Sequence, residues 1–198
     1  YDYFAYQYVP DPKTIFENVY KLEPGHWLEV SASGQNKEQY WDVSFARRSI
    51  SEDEAREALR SHIDAATQRR MIADVSLGAF LSGGVDSSGI VATMAKLAER
   101  PVTTCAVGFD AARFDETEFA QVVATHCGTD HHEFTVGNDI TASLAEIVVF
   151  FDEPFADPSL VPTFFVSRLA RQQVTVALAG DGGDEVFAGY RKYRVDAI

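Results

Sequence analysis

Apolar and polar positions change period several times along this chain, and the changes mark its elements. Apolar runs at 75–81, 102–108, 131–136 and 174–179 read as strands. Segments 87–99, 115–127, 139–151 and 160–172 carry a helical period, and a further helix starts near Asp184. Pro101 closes the first of these helices and Gly128 the second. Strands alternating with helices imply βαβ crossovers. The expected fold is therefore α/β: a doubly wound, mostly parallel sheet with helices on both faces. The run Val-Thr-Val-Ala-Leu-Ala at 174–179 is apolar nearly throughout, as suits a strand covered on both sides.

Upstream, Ser51-Glu52-Asp53-Glu54 is a capping box that should start a helix from about Glu52 to Met71. Ala55, Ala58, Leu59, His62, Ile63 and Ala66 form its apolar stripe. Residues 1–41 differ. Tyr1 to Tyr8 are aromatic-rich, and Val9-Pro10-Asp11-Pro12 is a turn or extended linker. Residues 14–19 fit a single helical turn, and Pro24-Gly25 signals a reversal. His26 to Val30 alternates like a strand, with Glu38 to Trp41 returning as its hairpin partner. This segment is too small to be a domain alone, and Arg47 to Ile50 reads as a linker.

The first chemical signal is Leu81-Ser82-Gly83-Gly84-Val85-Asp86-Ser87-Ser88, a glycine-serine loop between a strand and a helix. Gly83 and Gly84 let the backbone approach a phosphate, and the first N–H groups of the next helix point at it. Ser82, Ser87 and Ser88 add hydroxyl donors. Asp86 would repel a bare phosphate, which argues for a bridging cation, Mg²⁺. The lysine of the usual P-loop is absent from this loop. A second loop, Gly180-Asp181-Gly182-Gly183-Asp184-Glu185, leaves strand 174–179 at the same end of the sheet. Ligands of open parallel sheets bind beyond the carboxyl ends of the strands, so both loops are expected to face one crevice, with Asp86 and Asp184 as the Mg²⁺ pair. A third segment, Asp152-Glu153-Pro154-Phe155-Ala156-Asp157-Pro158-Ser159, could orient a substrate amine or a metal, or equally cap helix 160–172 through Ser159. His131 and His132 point to opposite strand faces, a poor ligand geometry, and read as structural, as does His26. Arg191, Lys192 and Arg194 could reach phosphates or form a solvated helix face.

Charge narrows the partners. The 198 residues carry a net charge of −13, which speaks against non-specific nucleic-acid binding and makes a polyanionic ligand depend on Mg²⁺ or aimed donors. Cys105 and Cys127 form neither a disulfide framework nor a zinc site and read as reduced core thiols. With no signal segment or 18-residue apolar stretch, no membrane partner is expected and the location is taken as cytoplasmic. The chain begins at Tyr1 without an initiator Met and ends at Ile198 in a helical pattern, so it is expected to be a piece of a longer protein.

Together these residues resemble glutamine-hydrolysing asparagine synthetases. Residues 8–16 with Lys21-Leu22-Glu23-Pro24-Gly25-His26 resemble the end of that family's amino-terminal glutaminase domain. Phe80 to Ser88 resembles its ATP-pyrophosphatase loop, Asp152-Glu153-Pro154 with Asp157 and Ser159 its substrate-side loop, and Gly180 to Glu185 with Phe187 and Gly189-Tyr190 its second ATP loop. The resemblance implies two parts: residues 1–46 as the glutaminase tail and linker, and 47–198 as the synthetase domain. It implies that Leu81, Ser82, Gly83 and Gly84 line ATP, with Ser87 and Ser88 on pyrophosphate. Val107 would meet adenine, Ala179 and Gly180 would border the nucleotide, and Asp86 and Asp184 would bind Mg²⁺. Asp181 and Glu185 fall at catalytic positions, although some members carry glutamate where Asp181 stands and serine where Ala179 stands. The implied reaction turns aspartate and ATP into β-aspartyl-adenylate, which ammonia from glutamine converts to asparagine. The family's glutaminase nucleophile, an amino-terminal cysteine, is not Tyr1, and its later catalytic lysine lies beyond Ile198. The chain alone is therefore expected not to hydrolyse glutamine. Interface surface left by truncation would favour self-association, such as a homodimer. Two alternatives stay open: an amidotransferase or lactam synthetase acting on another carboxylate, and a non-catalytic nucleotide-binding module.

Overall fold

The computed structural model describes residues 1–46, 49–109, 116–137, 141–190 and 192–195. The chain runs α1 (Asp2–Tyr6), β1 (His26–Ser31), β2 (Gly34–Gln39), α2 (Glu52–Arg70), β3 (Leu77–Phe80), α3 (Val85–Leu97), β4 (Thr103–Phe109), α4 (Thr117–Cys127), β5 (Asp130–Val136), α5 (Thr141–Val148), α6 (Leu160–Gln173), β6 (Val176–Leu178), α7 (Gly183–Phe187) and α8 (Lys192–Val195). Its contacts form two compact units, Tyr1–Ile50 with Thr141–Leu160, and Ser51–Ile140 with Val161–Ile198.

The second unit holds a four-stranded sheet, ordered β5-β4-β3-β6, whose neighbouring strands all pair in parallel. Alternation along the strands sends side chains to two separate cores. Ala79, Leu81 and Ala106 pack with Val91 and Met94 of α3 and Ala120 and Ala124 of α4. Phe80 and Cys105 pack with Leu169 and Ala170 of α6 and with Val174. The sheet is thus covered by helices on both faces, as its apolar strands require. Burial pushes the Cys105 thiol up to about 11, so this cysteine is an inert core side chain.

Two local expectations in this unit need correction. The Ser51–Glu54 capping box forms in full, and α2 follows it to Arg70. Its apolar stripe, however, is not buried: Thr67 is the only buried residue of α2, and Leu59 is 40% exposed. The helix rests on α3 mainly through its carboxyl half, leaving a groove of about 250 Å³ lined by Arg56, Leu59, Arg60, Ile63, Asp64, Gly89 and Thr93. The strand expected at 174–179 shortens to three residues. Val174 still bonds back into α6 through its N–H, 2.7 Å from Ala170 O, and Thr175 enters the sheet edge through Ser76.

In the first unit β1 and β2 form a hairpin, but the returning strand is Gly34–Gln39 rather than Glu38–Trp41: it pairs from Ser31 with Gly34 to His26 with Gln39, and Tyr40 and Trp41 lie past it, donating to Gly25 O. Residues 14–19 are not a helical turn. Thr14 Oγ1 accepts from Phe16 N–H at 3.0 Å and donates to Val19 O at 2.7 Å, and Asn18 sits at φ 62°. A threonine hydroxyl that bonds locally in this way competes with the helix. The aromatic-rich start, in turn, contains a short helix, α1, that its pattern did not announce.

Candidate functional site

Strand order decides where the chemistry falls. From β3 the chain moves through β4 to β5, and the next strand of the sheet, β6, lies on the other side of β3. Loops leaving the carboxyl ends of β3 and β6 therefore diverge, and the gap between them is the topological switch point at which open parallel sheets bind ligands. The glycine loops at 81–84 and 179–182 are those two loops.

The first loop is held largely by its own side chains. Leu81 N–H extends the ladder by donating to Cys105 O at 2.9 Å. Beyond it, the Ser82 and Ser87 hydroxyls lie 3.0 Å apart, and Ser87 Oγ donates to Gly84 O at 3.2 Å. Gly83 takes φ 82°, and a Cβ there would collide with the backbone of Phe119 and Ala120 at the start of α4. The N-cap of α3 is Gly84, so no side chain caps that helix and its first-turn N–H groups stay available to an anion. Ser88 Oγ is buried and has no hydrogen-bond partner among the described residues.

The second loop lies against the first through atoms that glycine leaves bare. A Cβ on Gly180 would stand 2.7 Å from Ser87 N and 2.8 Å from Asp86 C. A Cβ on Gly183 would strike the Asp86 carboxylate itself. Glycine at 180 is required by the backbone of Asp86 and Ser87, while glycine at 183 leaves the Asp86 carboxylate where it stands, and together they let the start of α7 close onto the start of α3. Gly182 caps α7 at φ 89°. The acids of this loop face different ways. Asp181 is exposed, the Asp184 carboxylate abuts Gly189, and Glu185 Oε1 accepts from Tyr190 OH at 2.6 Å. That bond holds the Glu185 carboxyl below its ordinary range and pushes the Tyr190 phenol up to about 12. Ala179, at the end of β6, is half-buried.

The donor set can be tested against Mg²⁺, which takes hard oxygen ligands and commonly needs only one or two carboxylates when phosphates supply the rest. Asp86, in the first turn of α3 beside Gly183, offers such oxygens next to uncapped N–H groups, and so fits. Asp184 turns its carboxylate to Gly189, and among the described residues no three His, Cys, Asp or Glu side chains converge.

Other expected residues fall as follows. Val107 lies near the carboxyl end of β4, two residues past the carbonyl that receives Leu81 N–H. Asp152, Glu153, Asp157 and Ser159 belong to the first unit. Glu153 pairs with Lys21 at 2.5 Å, and Lys21 also donates to Val9 O at 2.6 Å. Asp157 rather than Ser159 is the acceptor at the entry to α6: Ser159 N–H donates to its Oδ1 at 2.8 Å, and bonds from Ser159 hold its carboxyl below the usual range. Asp152 is exposed. His131 is a core side chain, with Nδ1 2.8 Å from Thr104 Oγ1 and Nε2 3.2 Å from Glu133 Oε1, while His132 faces Asp130 on the other side of β5. His26 Nδ1 bonds Pro24 O at 2.9 Å, also a structural contact. Lys192 stands 4.8 Å from the Tyr190 ring, whereas Arg191 and the Arg194 side chain lie outside the described residues. Tyr190 as the partner of Glu185, and Lys21 as the partner of Glu153, were not read from the sequence. Only the Gly189-Tyr190 pair after the acidic loop hinted at the former.

The asparagine synthase family model matches residues 58–198, and a glutamine amidotransferase domain model matches residues 1–41. The glutamine-hydrolysing asparagine synthetase 1 of Bacillus subtilis is 36% identical over 194 residues, covering 97% of this chain and 30% of that protein. Asparagine synthetase 3 of the same organism is 31% identical over 89% of this chain, and the amidase chry2 of Gibberella zeae 30% identical over 95%. Each of these matches takes in 31% of the relative, so the chain spans about a third of the length of these proteins. Among solved structures, an ammonia-dependent NAD synthetase from Campylobacter jejuni aligns over 68% of this chain and 60% of its own, at 12% identity and a TM-score of 0.47. Among the described residues no helix is long and apolar enough to cross a membrane. Because the family model covers well over half of its length, this chain belongs to the asparagine synthase family.

Proposed function

We propose that this chain is the ATP-binding part of a glutamine-dependent ligase that amidates aspartate to asparagine through a β-aspartyl-adenylate. On this reading residues 1–46 are the tail and linker of a glutaminase domain, and residues 47–198 belong to the synthetase domain. The observation that carries the proposal is the close approach of two glycine loops at the switch point, with Gly180 and Gly183 against Ser87 and Asp86. That arrangement offers backbone and hydroxyl donors on one side and carboxylates on the other.

The physical task is to bring a carboxylate up to a phosphate. The uncapped first turn of α3 aims N–H groups at the phosphates, and Ser82, Ser87 and Ser88 add hydroxyls. Gly83, Gly84 and Gly180 let the backbone come close, with Leu81, Val107 and Ala179 bordering the nucleotide. Asp86 would hold Mg²⁺, which offsets the charge of the phosphates, and Asp184, turned to Gly189 in this structure, would join it after a side-chain rotation. We assign Asp181 and Glu185 to catalysis, and Asp152, Glu153, Asp157 and Ser159 to recognition of the acceptor. Fixing carboxylate and α-phosphorus in line supplies the remaining acceleration.

ATP/³²P-pyrophosphate exchange by the full-length protein, with Mg²⁺ and a panel of acids, tests this. Exchange that requires aspartate is the expected result. Exchange with another acid alone would keep adenylation and replace the acceptor. No exchange with any acid would contradict the ligase reading.

A further inference from the structure

The second loop does not end at its acids. After α7 the backbone turns sharply. Ala188 adopts φ 54° and ψ 43°, and its N–H and that of Gly189 both return to Asp184 O, the latter at 2.9 Å. Such a left-handed cap is costly for a residue with a Cβ and persists where surrounding contacts fix it. Here it serves two contacts. Gly189 comes up against the Asp184 carboxylate so closely that no Cβ would fit, and Tyr190 folds back over α7 to donate its phenol proton to Glu185 at 2.6 Å. Lys192 then stands over the Tyr190 ring at 4.8 Å and the Tyr193 ring at 5.7 Å, and the two rings lie 5.7 Å apart.

We propose that Tyr190 is a positioning residue of the nucleotide site: its phenol fixes Glu185 in one orientation on α7, the helix whose first residue abuts Asp86. This rests on the reading of the site given above. Tyr190 need not touch ATP or acceptor; it acts through Glu185. Among the described residues, the charged and titratable groups around the pair are Lys192, Asp184 and Tyr193. A carboxylate that accepts a short phenol bond is kept ionised and loses rotamer freedom, so it arrives preorganised for charge that develops at the reacting centre. Without the phenol, Glu185 would keep its charge at neutral pH but sample several directions.

The test uses the full-length protein and the variants Tyr190→Phe, Glu185→Gln and the double variant. In Tyr190→Phe the rate of pyrophosphate exchange should fall about tenfold with the KM for ATP nearly unchanged, the signature of an interaction spent in the transition state. The double variant should be no slower than Glu185→Gln, since Tyr190 acts only through that acid. Effects that multiply, or a KM for ATP that rises with the rate unchanged, would overturn the proposal. A readout independent of catalysis comes from the rotamer of Glu185. Side-chain three-bond couplings in labelled protein should report one χ1 state in the wild type, where the phenol holds the carboxylate at 2.6 Å, and averaged states in Tyr190→Phe. If the wild type shows no exchange at all, the ligase reading fails, and the couplings still decide the Tyr190–Glu185 pair; averaged couplings in both proteins would refute it.

Discussion

Residues 81–88 and 180–190 share the same vocabulary of glycine and acid, yet they are held in place by different means. The first loop is tied internally: Ser82 to Ser87, Ser87 to Gly84, and Leu81 to the β4 ladder. It then opens a 13-residue helix packed in the core through Val91 and Met94. The second opens a five-residue helix with no buried residue and is fixed from outside, by Asp86 at one end and by Tyr190 and the Ala188 turn at the other. The difference implies a division of labour. A rigid platform of donors meets an appended acidic lobe whose orientation depends on a few contacts, and the lobe is where single substitutions should separate activity from stability.

Gly180→Ala should have the largest effect, because its Cβ meets backbone atoms of Asp86 and Ser87 that cannot turn away. We expect a loss of about 3 kcal/mol in chemical denaturation and exchange reduced at least about a hundredfold. Gly183→Ala sharpens the contrast. Its Cβ meets the Asp86 carboxylate, which can rotate, so stability should stay within about 1 kcal/mol while exchange falls about a hundredfold. Equal losses in stability for both variants would break the distinction between platform and lobe. Gly182→Ala adds a side chain into open space but at φ 89°, so only backbone strain of about 1–2 kcal/mol should register in the melting curve. On the platform side, Ser87→Ala removes the internal tie and should cost about 1 kcal/mol by the same measurement.

The smallest effect concerns pH. Glu185 has its folded pKa depressed, chiefly by the Tyr190 hydrogen bond. Its contribution to stability is therefore present above the ordinary carboxylate range and is lost as pH falls through the lowered folded value. Tyr190→Phe should flatten that part of the stability curve between neutral pH and the acid side, and a curve of unchanged slope would show that the exposed bond contributes nothing. Cys127 should also be modified by a thiol reagent before Cys105, whose thiol is buried and titrates at about 11.

What could be read from the sequence follows the same physical divide. The β3 to β6 region announces itself because buried strands are continuous apolar runs and the helices between them carry a 3.6-residue period. Gly128 at φ 65° ends α4 as its position suggests, and Ser51 with Glu54 forms the box their spacing implies. The two glycine loops were legible as candidate anion sites for a local reason: small residues and acids at a strand-to-helix junction. Long-range contacts were not. Nothing in Asp86 says that its carboxylate rests on Gly183, nor in Glu153 that Lys21 claims it across more than a hundred residues. Thr14 misled because a single hydroxyl can divert a six-residue segment from the helix, and the α2 stripe misled because an apolar face does not name the surface that covers it.

The most direct test of the central claim, that both loops meet one nucleotide, is amide hydrogen–deuterium exchange of the full-length protein with and without ATP and Mg²⁺. Simultaneous protection of residues 82–88 and 180–185 is the predicted result. Protection confined to one loop, or to neither, would contradict it.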